Sequence, residues 1–561
     1  MLAPTLLLSS FLVTPLLAPL AAQQPSLAPA VVTAIDRVFA PWSQPTSPGC
    51  SVGVFAGGRT VHARGYGMAD LERRVPLGTA SVFDLASTSK QFFAFAILLL
   101  EHDGKLRLDD DIRQHLPEIP AYGATITVRH LLHHTSGIRD YLALMSLAGM
   151  PFAHDYPERQ ILALIARQKD LNFAPGDQHL YSNSGYFLLA EIVRRVSQQT
   201  PGAFLAERIF KPLGMRATRL YDDYRQLIPN RALGYLPKGN DGHTTEVYLF
   251  DLVGDGGVLT CLEDLARWDE NFYDNRLGGG ADLIARMLTP GVLNSGKVLD
   301  YACGLRVGEY RGLRFVDHGG AWAGYRSQFV RFPSEHVSIA VLANSGTFDP
   351  DSKALAVADL VLGAKLTPIT KAPEAPPVPA AAATPPPSAA TLAAFAGTYR
   401  SESGRVFEVT LTDGALHLQL APEQSFALAA TAEARFTTVG APVQIGVQFL
   451  DGGKAMQMEV ADQKPRRFAR LAVWAPTDAE MAEYAGEYHS VELEVTYRVA
   501  VVDGALRVAI GYQDDVLRLA PTLRDEFALG GGVARIERAD GKITGFRVDV
   551  GRVRGIVFAR R

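Results

Sequence analysis

A proline-rich segment in the second half of the chain is the feature that most constrains its fold. Residues 366–391 read LTPITKAPEAPPVPAAAATPPPSAAT, with eight prolines between Pro368 and Pro387. Such a segment cannot build a hydrophobic core and favours extended conformations. It therefore predicts a linker at 366–391, between a large N-terminal domain over 30–365 and a smaller C-terminal region. The chain length of 561 residues also favours several domains, because a single hydrophobic core rarely extends beyond ~300 residues.

The C-terminal region contains an internal repeat. LAAFAGTYRSE at the start of one copy returns as MAEYAGEYHSV in the next, and VFEVTLTDGALHLQL returns as TYRVAVVDGALRVAI. Apolar and polar residues alternate in both copies, and each DG pair marks a tight turn between strands. The pattern predicts two small antiparallel β-barrels, over 392–475 and 478–561.

The N-terminal domain mixes strand and helix periodicities. Residues 50–67 predict a β-hairpin that turns at Gly57-Gly58. Residues 91–104 are apolar nearly all round and predict a buried helix, whereas 184–200 is amphipathic. Two late strands are expected within 325–345. Strands at both ends with helices between them predict an α/β sandwich whose first and last strands share one sheet.

The first residues predict export. The first charged side chain is Asp36, and an apolar run ends in small residues near Ala21 and Ala22. This favours a signal peptide over 1–23 and a secreted or periplasmic protein, with a membrane anchor as the alternative. No later segment is long enough to span a membrane, so the mature chain is expected to have no span.

Composition excludes some partners. The net charge, 55 − 59 = −4, gives no basic excess that would point to nucleic acid. The three cysteines are too few for a disulfide scaffold, and their spacing matches no zinc site. Buried free thiols are the main expectation for them, with one disulfide as the alternative.

The segment Ser87-Thr88-Ser89-Lys90 opens the predicted buried helix. Spacing of three places Ser87 and Lys90 on one face, one turn apart. Burial beside FFAFAILLL would disfavour the charged amine and lower its pKa, which makes Lys90 a candidate base for a serine nucleophile. An SxxK match alone is weak, and N-cap serines with a solvated lysine are the structural alternative.

Two further motifs supply polar groups. Tyr181-Ser182-Asn183 precedes the amphipathic helix, and its phenol and amide suit proton relay and carbonyl binding. His318-Gly319-Gly320 leads into a strand, where a backbone N–H could face an oxyanion. A second YxN, at 273–275, enters a loose glycine-rich loop. A second HxG, at 102–104, is ~22 Å along the helix from the serine. These second copies of the YxN and HxG motifs are therefore less favoured as parts of the site.

Three histidines, His130, His133 and His134, have helical spacing. Such spacing can build a zinc face, but no HExxH pattern or nearby carboxylate completes a ligand set. We interpret them as structural and expect no metal.

The order SxxK, YxN, HxG resembles the signature of the penicillin-recognising serine hydrolases. This family includes class C β-lactamases, D-Ala-D-Ala carboxypeptidases, esterases and D-aminopeptidases. ITVRHLLHHTSGI, FAPGDQHLYSNSGYFLLAEI, IFKPLGMRAT and GGVLTCLEDLARW are also similar to the family, and the resemblance covers about 50–345. It implies a β-lactamase-like α/β sandwich with an antiparallel sheet and an all-α lobe.

The resemblance also implies an acyl-serine mechanism without a cofactor. The catalytic residues would be the nucleophile Ser87, with Lys90 and Tyr181 sharing the proton relay. The substrate-binding residues implied by the motifs are Asn183, His318, Gly320 and Ala321. Among these, the backbone N–H of Ala321 would join that of Ser87 in the oxyanion hole.

Two features bear on the substrate. Related β-lactamases carry KTG where this chain has His318-Gly319-Gly320, and a mostly neutral histidine should hold a substrate carboxylate less strongly. A catalytic domain followed by two barrels is most similar in layout to bacterial D-aminopeptidase, in which a barrel contributes to the substrate pocket. Such an enzyme needs a carboxylate for the substrate ammonium, and Asp514 and Asp515 are candidates. A solvated charged hairpin is the favoured structural alternative for these two residues, because nothing in the sequence places them near the cleft.

These features predict a serine hydrolase that cleaves an amide or ester in a small molecule or short peptide. A D-stereospecific peptidase or aminopeptidase is the form the layout favours. An esterase, a D-Ala-D-Ala carboxypeptidase or a β-lactamase is an alternative. A slow-turnover sensor that binds penicillin or cell-wall fragments is another. The sequence leaves the oligomeric state open.

Overall fold

The computed structural model of the chain describes a subset of its residues. These are residues 26–239, 242–246, 248–368, 387–401, 406–421, 424–441, 444–460, 465–472, 474–511 and 513–561. The expected signal peptide at 1–23 and most of the expected linker lie outside the described residues. The helix Ala389–Phe395 begins within the last residues assigned to that linker.

A six-stranded antiparallel sheet organises the N-terminal domain. Its strands, in spatial order, are Arg306–Tyr310, Leu313–Trp322, Tyr325–Phe332, Val337–Ala343, Cys50–Ala56 and Arg59–Tyr66. Cys50 pairs with Ala343 in the register of the first and last strands. The prediction that both ends of the domain share one sheet is therefore confirmed, as is the hairpin at 50–67.

Helices cover both faces of this sheet. Pro29–Phe39 and Pro350–Leu362 pack on one face around Ile339 and Val341. On the other face lies the helical lobe, whose helices are Lys90–His102, Val128–Leu132, Tyr141–Leu147, Glu158–Ala166, Asn183–Ser197, Pro201–Leu205, Lys211–Leu213, Leu262–Glu270 and Gly280–Met287. The first of these is the core helix of the lobe. Residues 92–100 within it are fully buried, which explains why its sequence is apolar on every side.

Short strands hold the loops around the core helix. Phe83–Asp84 and Arg219–Leu220 flank Val258–Thr260 in a three-stranded sheet. The remaining short strands form two pairs, Met68–Asp70 with Val75–Pro76 and Tyr235–Pro237 with His243–Thr245. The three-stranded sheet places the segment before Ser87 beside the loop that carries Asp255.

The C-terminal region forms two closed eight-stranded antiparallel barrels. The strands of the first are Gly397–Ser401, Val406–Thr412, Ala415–Ala421, Gln424–Ala432, Arg435–Thr438, Ile445–Leu450, Ala455–Val460 and Arg466–Arg470. Those of the second are Gly486–Ser490, Val495–Val502, Ala505–Ile510, Gln513–Leu523, Glu526–Leu529, Gly532–Ala539, Lys542–Val550 and Val553–Arg560. The predicted fold class, an α/β domain followed by two β-barrels, is confirmed.

The two barrels repeat each other in detail. Each is preceded by a short helix, Ala389–Phe395 or Asp478–Ala482. The hydroxyl of Tyr399 donates to the carbonyl four residues earlier, and that of Tyr488 does the same, both at 2.8 Å. These tyrosines occupy equivalent places in the two sequence copies, so the repeat is structural as well.

The second barrel is docked on the helical lobe. Arg139 donates to Glu492 at 2.6 Å, and both side chains are almost fully buried. The hydroxyl of Tyr497 donates to the carbonyl of Leu147 at 2.7 Å. This interface fixes the position of the barrel relative to the site described below.

Candidate active site

Ser87 lies in a tight turn at the entrance to the core helix. The turn Ala86–Ser89 is a 3₁₀ helix, and the α-helix begins only at Lys90. Ala86 has a left-handed φ of 47°, a conformation that non-glycine residues rarely adopt. The sequence placed Ser87 on the α-helix itself. The structure places it one turn earlier, where its side chain and N–H meet the cleft.

The Lys90 amine is buried in contact with the serine. Its Nζ lies 3.1 Å from Ser87 Oγ, 3.1 Å from Asn183 Oδ1 and 2.7 Å from the carbonyl oxygen of Asp255. Burial holds the pKa of Lys90 well below its ordinary value, while the negative charge of Asp255 opposes this shift. A neutral amine has two N–H donors and one lone pair. When the amine is neutral and both donors go to the two carbonyl oxygens, its lone pair is left to face the Ser87 hydroxyl.

Tyr181 and Asn183 flank this amine, as the YxN motif predicts. The ring centroid of Tyr181 is 4.8 Å from Lys90 Nζ. Among the residues that the structure describes, the buried Tyr181 hydroxyl has no hydrogen-bond partner of good geometry. Burial raises the pKa of Tyr181, and the neighbouring Ser87 opposes this rise, so the phenol is protonated near neutral pH. A buried donor of this kind is available to a substrate.

The HxG segment forms one wall of the cleft on the strand Leu313–Trp322. Gly320 packs against the segment before Ser87, since a Cβ at Gly320 would lie 2.1 Å from the carbonyl oxygen of Leu85. Only glycine allows this approach. Ala321 follows it and lines the same pocket as Ser87, so the two backbones expected to form the oxyanion hole share one cavity.

The His318 ring is held within the wall. Its Nε2 is 3.0 Å from the Tyr301 hydroxyl, and its Nδ1 is 2.6 Å from the carbonyl oxygen of Gly319. Burial, with the nearby Lys90, lowers the pKa of His318 to about 3, so the ring is neutral. Both nitrogens have partners, and the histidine therefore acts on substrate only through the wall that it supports.

Sequence reasoning missed a pair of acidic residues beneath the site. Tyr141 donates to both carboxylate oxygens of Asp255 at 3.1 Å. Asp140 accepts the backbone N–H of Asn183 at 2.7 Å and so fixes the YxN motif. Burial raises the pKa of Asp255, and Lys90 opposes the rise. The sequence feature that could have indicated Asp255 is its position between glycines in VGDGGV, residues 253–258.

A pocket opens on Ser87 and spans about 490 Å³, with the open solvent at its mouth included. Two acidic residues, Asp84 and Asp255, are among those that line it, and their carboxylates accept hydrogen bonds from Tyr248 and Tyr141. Its aromatic walls are Tyr221, Tyr248, Phe250 and Trp322. Phe250 and Trp322 pack with ring centroids 5.1 Å apart. Aromatic faces and carboxylates both attract a cation, so the pocket suits an ammonium group with an apolar side chain beside it.

The second barrel also reaches this site, through Arg552 in the turn between its last two strands. The guanidinium carbon lies 4.6 Å from the centroid of the Tyr181 ring. No motif in the sequence indicates this residue, because the contact depends on how the barrel docks.

Other residues considered from the sequence lie elsewhere or serve the fold. Tyr273 of the second YxN stacks on His336, with ring centroids 3.5 Å apart. The three histidines of the RHLLHH segment each contact a neighbouring group: His130 caps a helix, His133 lies 3.7 Å from Cys303 Sγ, and His134 accepts the N–H of Ser182. The side chains of the two consecutive aspartates at 514 and 515 lie outside the described residues.

The described residues also bear on metal binding, membrane spans and disulfides. Within the described ranges, no three His, Cys, Asp or Glu side chains cluster as a metal would require. No helix in that part of the chain is both long and apolar enough to cross a bilayer. Cys50, Cys261 and Cys303 are free and buried, as expected.

The site combines a serine in contact with a buried amine of lowered pKa, a nearby phenol and an amide. This combination defines a serine hydrolase of the acyl-transfer type. A family model described as Beta-lactamase matches residues 35–364. The chain belongs to this family, and it is an enzyme that acts on amide bonds through an acyl-serine.

Two curated relatives extend the comparison beyond the catalytic domain. Penicillin-binding protein 4* of Bacillus subtilis (strain 168) is 31% identical over 404 residues, covering 68% of this chain and 85% of that protein. A D-aminopeptidase of Gluconobacter oxydans (strain 621H) is 28% identical over 534 residues, covering 91% of this chain and 96% of that protein. The second alignment therefore includes both barrels.

Two solved structures share the fold. The octameric penicillin-binding protein homologue from Pyrococcus abyssi aligns with a TM-score of 0.55 and 22% identity, covering 78% of this chain and 99% of that one. D-amino acid amidase from Ochrobactrum anthropi SV3 aligns with a TM-score of 0.51 and 22% identity, covering 60% and 99%. At this identity the two matches support the fold alone.

Proposed function

We propose that the protein is a D-aminopeptidase-like hydrolase that removes an N-terminal D-amino acid from short peptides or amides. The observation that carries the proposal is the pocket at Ser87, in which the carboxylates of Asp84 and Asp255 lie among aromatic rings. A free ammonium next to the scissile carbonyl would be held there. The preference for D-residues rests on relatives that are named D-aminopeptidase and align over almost their whole length.

Acylation follows from the hydrogen bonds of the site. The neutral Lys90 amine takes the proton of Ser87 Oγ at 3.1 Å, and the oxygen attacks the substrate carbonyl carbon. The backbone N–H groups of Ser87 and Ala321 receive the oxyanion. Tyr181 protonates the leaving nitrogen as the C–N bond breaks, and its proton is replaced from Lys90. Water then releases the acyl group from the serine.

Electrostatics favours this sequence of steps. With Lys90 neutral, the ionised Asp255 leaves the base of the pocket negative, which attracts the substrate ammonium. The same carboxylate raises the pKa of Lys90, so the amine can accept and hold the serine proton. Burial of both groups strengthens the interaction.

A substrate panel tests the proposal. D-alanine p-nitroanilide, L-alanine p-nitroanilide and N-acetyl-D-alanine p-nitroanilide differ only in configuration or in the ammonium. We expect the first to be cleaved with a kcat/KM at least about tenfold above that of the acetylated substrate, which loses a charge-assisted contact. We expect it to be preferred over the L-substrate as well, because the relatives that align over almost their whole length are named D-aminopeptidase. Equal rates on the free and acetylated D-substrates would contradict the ammonium subsite.

Variants of the pocket provide the matched test. Asp84→Asn should lower kcat/KM on D-alanine p-nitroanilide by roughly tenfold or more while retaining hydrolysis of p-nitrophenyl acetate, which has no ammonium. Retained ester hydrolysis would show that the Ser87 turn is intact, because Asp84 also accepts the N–H of Ala86. Parallel losses on both substrates would argue for a purely structural role.

We also propose that the protein is exported, because the apolar run at 1–23 has the pattern of a signal peptide. Fractionation of producing cells and N-terminal sequencing test this. Mature protein outside the cytoplasm, beginning shortly after residue 23, is expected, and full-length protein in the cytoplasm would contradict it.

A further inference from the structure

The hairpin tip of the second barrel is fixed next to the catalytic tyrosine. The carbonyl oxygen of Arg552 accepts the amide N–H of Asn172 at 2.8 Å. Arg554, two residues on, donates its backbone N–H to Asn172 Oδ1 at 2.8 Å and accepts a hydrogen bond from Arg139 at 3.0 Å. The backbone on both sides of the tip is therefore bound to the catalytic domain, and the position of the Arg552 side chain follows from it.

The guanidinium of Arg552 has spare binding capacity. Its one ion pair with a described residue is loose, with Nη1 3.6 Å from Asp140 Oδ2. Asp140 already accepts backbone N–H groups from Asn183, at 2.7 Å, and from Leu142, at 3.1 Å. The Arg552 side chain is 43% exposed, so several of its five N–H donors can meet a ligand.

The place of this cation relative to the reaction indicates what it would bind. In the mechanism above, Tyr181 protonates the leaving nitrogen, so the leaving group lies beside the Tyr181 ring. Arg552 lies 4.6 Å from the centroid of the same ring. In an α-amino acid the carboxyl carbon is two bonds of about 1.5 Å from the nitrogen. A leaving amino acid would therefore bring its carboxylate to the neighbourhood of the guanidinium.

We propose that Arg552 forms a carboxylate subsite for the leaving amino acid, and that the favoured substrates are therefore short peptides with a free C-terminus. This inference rests on the proposed function. Guanidinium and carboxylate form paired charge-assisted hydrogen bonds, which select a carboxylate over a carboxamide. The neutral His318 supplies no positive charge for a carboxylate. Arg552, from the second barrel, supplies this charge in place of the lysine that related β-lactamases carry in their KTG segment.

The two ends of a dipeptide would then meet opposite charges. The ammonium enters the pocket of Asp84 and Asp255, and the carboxylate meets Arg552, which is not among the residues lining that pocket. A dipeptide satisfies both ends at once, whereas each added residue moves the carboxylate further from the arginine. The second barrel thus sets the length of the favoured peptide as well as its charge.

A matched pair of substrates tests the inference, D-alanyl-D-alanine and its C-terminal amide. They share the scissile bond and the ammonium and differ only in the carboxylate. We expect the wild type to prefer the free acid, and Arg552→Gln to lower kcat/KM on the acid by about 10- to 100-fold while changing the amide less than about threefold. Arg552→Lys should retain part of the preference, because it keeps the charge but loses the paired geometry.

Arg554→Gln is the control on the same hairpin. Its side chain is exposed, and among the described residues its one hydrogen-bond partner is Gln178, with 3.4 Å between Nη1 and Oε1. We expect this variant to match the wild type on both substrates. Equal losses on acid and amide in Arg552→Gln would overturn the inference, because a general electrostatic effect on Lys90 and Tyr181 acts on both. A wild type without preference for the acid would overturn it too.

The same experiment separates this inference from the proposed function. If the wild type cleaves the amide as fast as the acid, the carboxylate subsite is wrong while the D-aminopeptidase function stands. If it cleaves neither D-alanyl substrate yet hydrolyses p-nitrophenyl acetate, the proposed function is wrong, and the subsite is overturned with it.

Discussion

Removal of the Glu492 carboxylate should weaken the docking of the second barrel on the catalytic domain. Arg139 and Glu492 are 1% and 5% exposed, and their closest atoms are 2.6 Å apart. Glu492 also accepts the backbone N–H of Lys169 at 2.8 Å. Glu492→Ala leaves the Arg139 guanidinium buried, and its remaining partners in the described part of the chain are neutral: Gln168 and the carbonyl oxygen of Arg554, both at 3.0 Å.

The expected cost is large for one substitution. Breaking a buried ion pair from one side costs about 3–5 kcal/mol, because an uncompensated charge remains in the interior. One kcal/mol shifts the melting temperature of a domain of this size by about 4–8 °C. Differential scanning calorimetry should therefore show the transition of the second barrel lowered by roughly 10 °C or more in Glu492→Ala.

Two controls make the experiment specific. Glu494, two residues on, pairs with Arg167 at 3.4 Å and is 65% exposed. A surface pair of this kind contributes ~0–1 kcal/mol, so Glu494→Ala should melt nearly as the wild type does. The double variant Arg139→Met with Glu492→Leu removes both charges and should recover most of the loss. If Glu492→Ala and Glu494→Ala melted together, the interface would not depend on this pair and the reasoning would be refuted.

Three further predictions concern the site itself. Asp255→Asn removes the negative charge that raises the pKa of Lys90, so Lys90 should stay neutral at lower pH. The acidic limb of kcat/KM for p-nitrophenyl acetate should then move to lower pH, and a limb that moved upward would contradict the assignment of the base. Gly320→Ala places a Cβ 2.1 Å from the Leu85 carbonyl oxygen and should lower hydrolysis of the same ester by about 100-fold, since a displacement of ~1 Å suffices. Gly319→Ala approaches the side-chain Oε1 of Gln328 at 3.0 Å and the Ser327 carbonyl oxygen at 3.6 Å, so it should cost far less; equal losses in the two glycine variants would argue against the steric reason. Lys90→Met should abolish ester hydrolysis and leave the fold intact by circular dichroism, because the buried site already disfavours the charged amine.

Local patterns explain which features the sequence could predict. The spacing of Ser87 and Lys90 gives their contact directly, because three residues make about one turn. The alternating strands and DG turns of the repeat suffice for two barrels, since each copy must bury one face of its strands. The prediction that the first and last strands of the N-terminal domain share one sheet was correct, because each of these strands needs a neighbour for its backbone hydrogen bonds.

The features that escaped prediction depend on long-range docking. Arg552 reaches Tyr181 because the second barrel is docked on the catalytic domain, through the Arg139–Glu492 pair and the hydrogen bonds of Asn172. Nothing local marks a hairpin arginine as part of a site. The aromatic pocket is likewise assembled from separate loops, with Tyr248 and Trp322 packing at 5.8 Å between ring centroids. The hydrogen bond that holds the His318 ring could not be predicted for the same reason, since its partner Tyr301 lies in an irregular segment.

The most direct test of the central claim is to locate the acyl group by mass. Incubation with a fluorophosphonate, followed by intact-mass measurement and peptide mapping, should give one adduct per chain, on Ser87. That adduct should be absent from Ser87→Ala and should form much more slowly in Lys90→Met. An adduct of unchanged yield in Ser87→Ala would contradict the account, because the nucleophile would then be another residue.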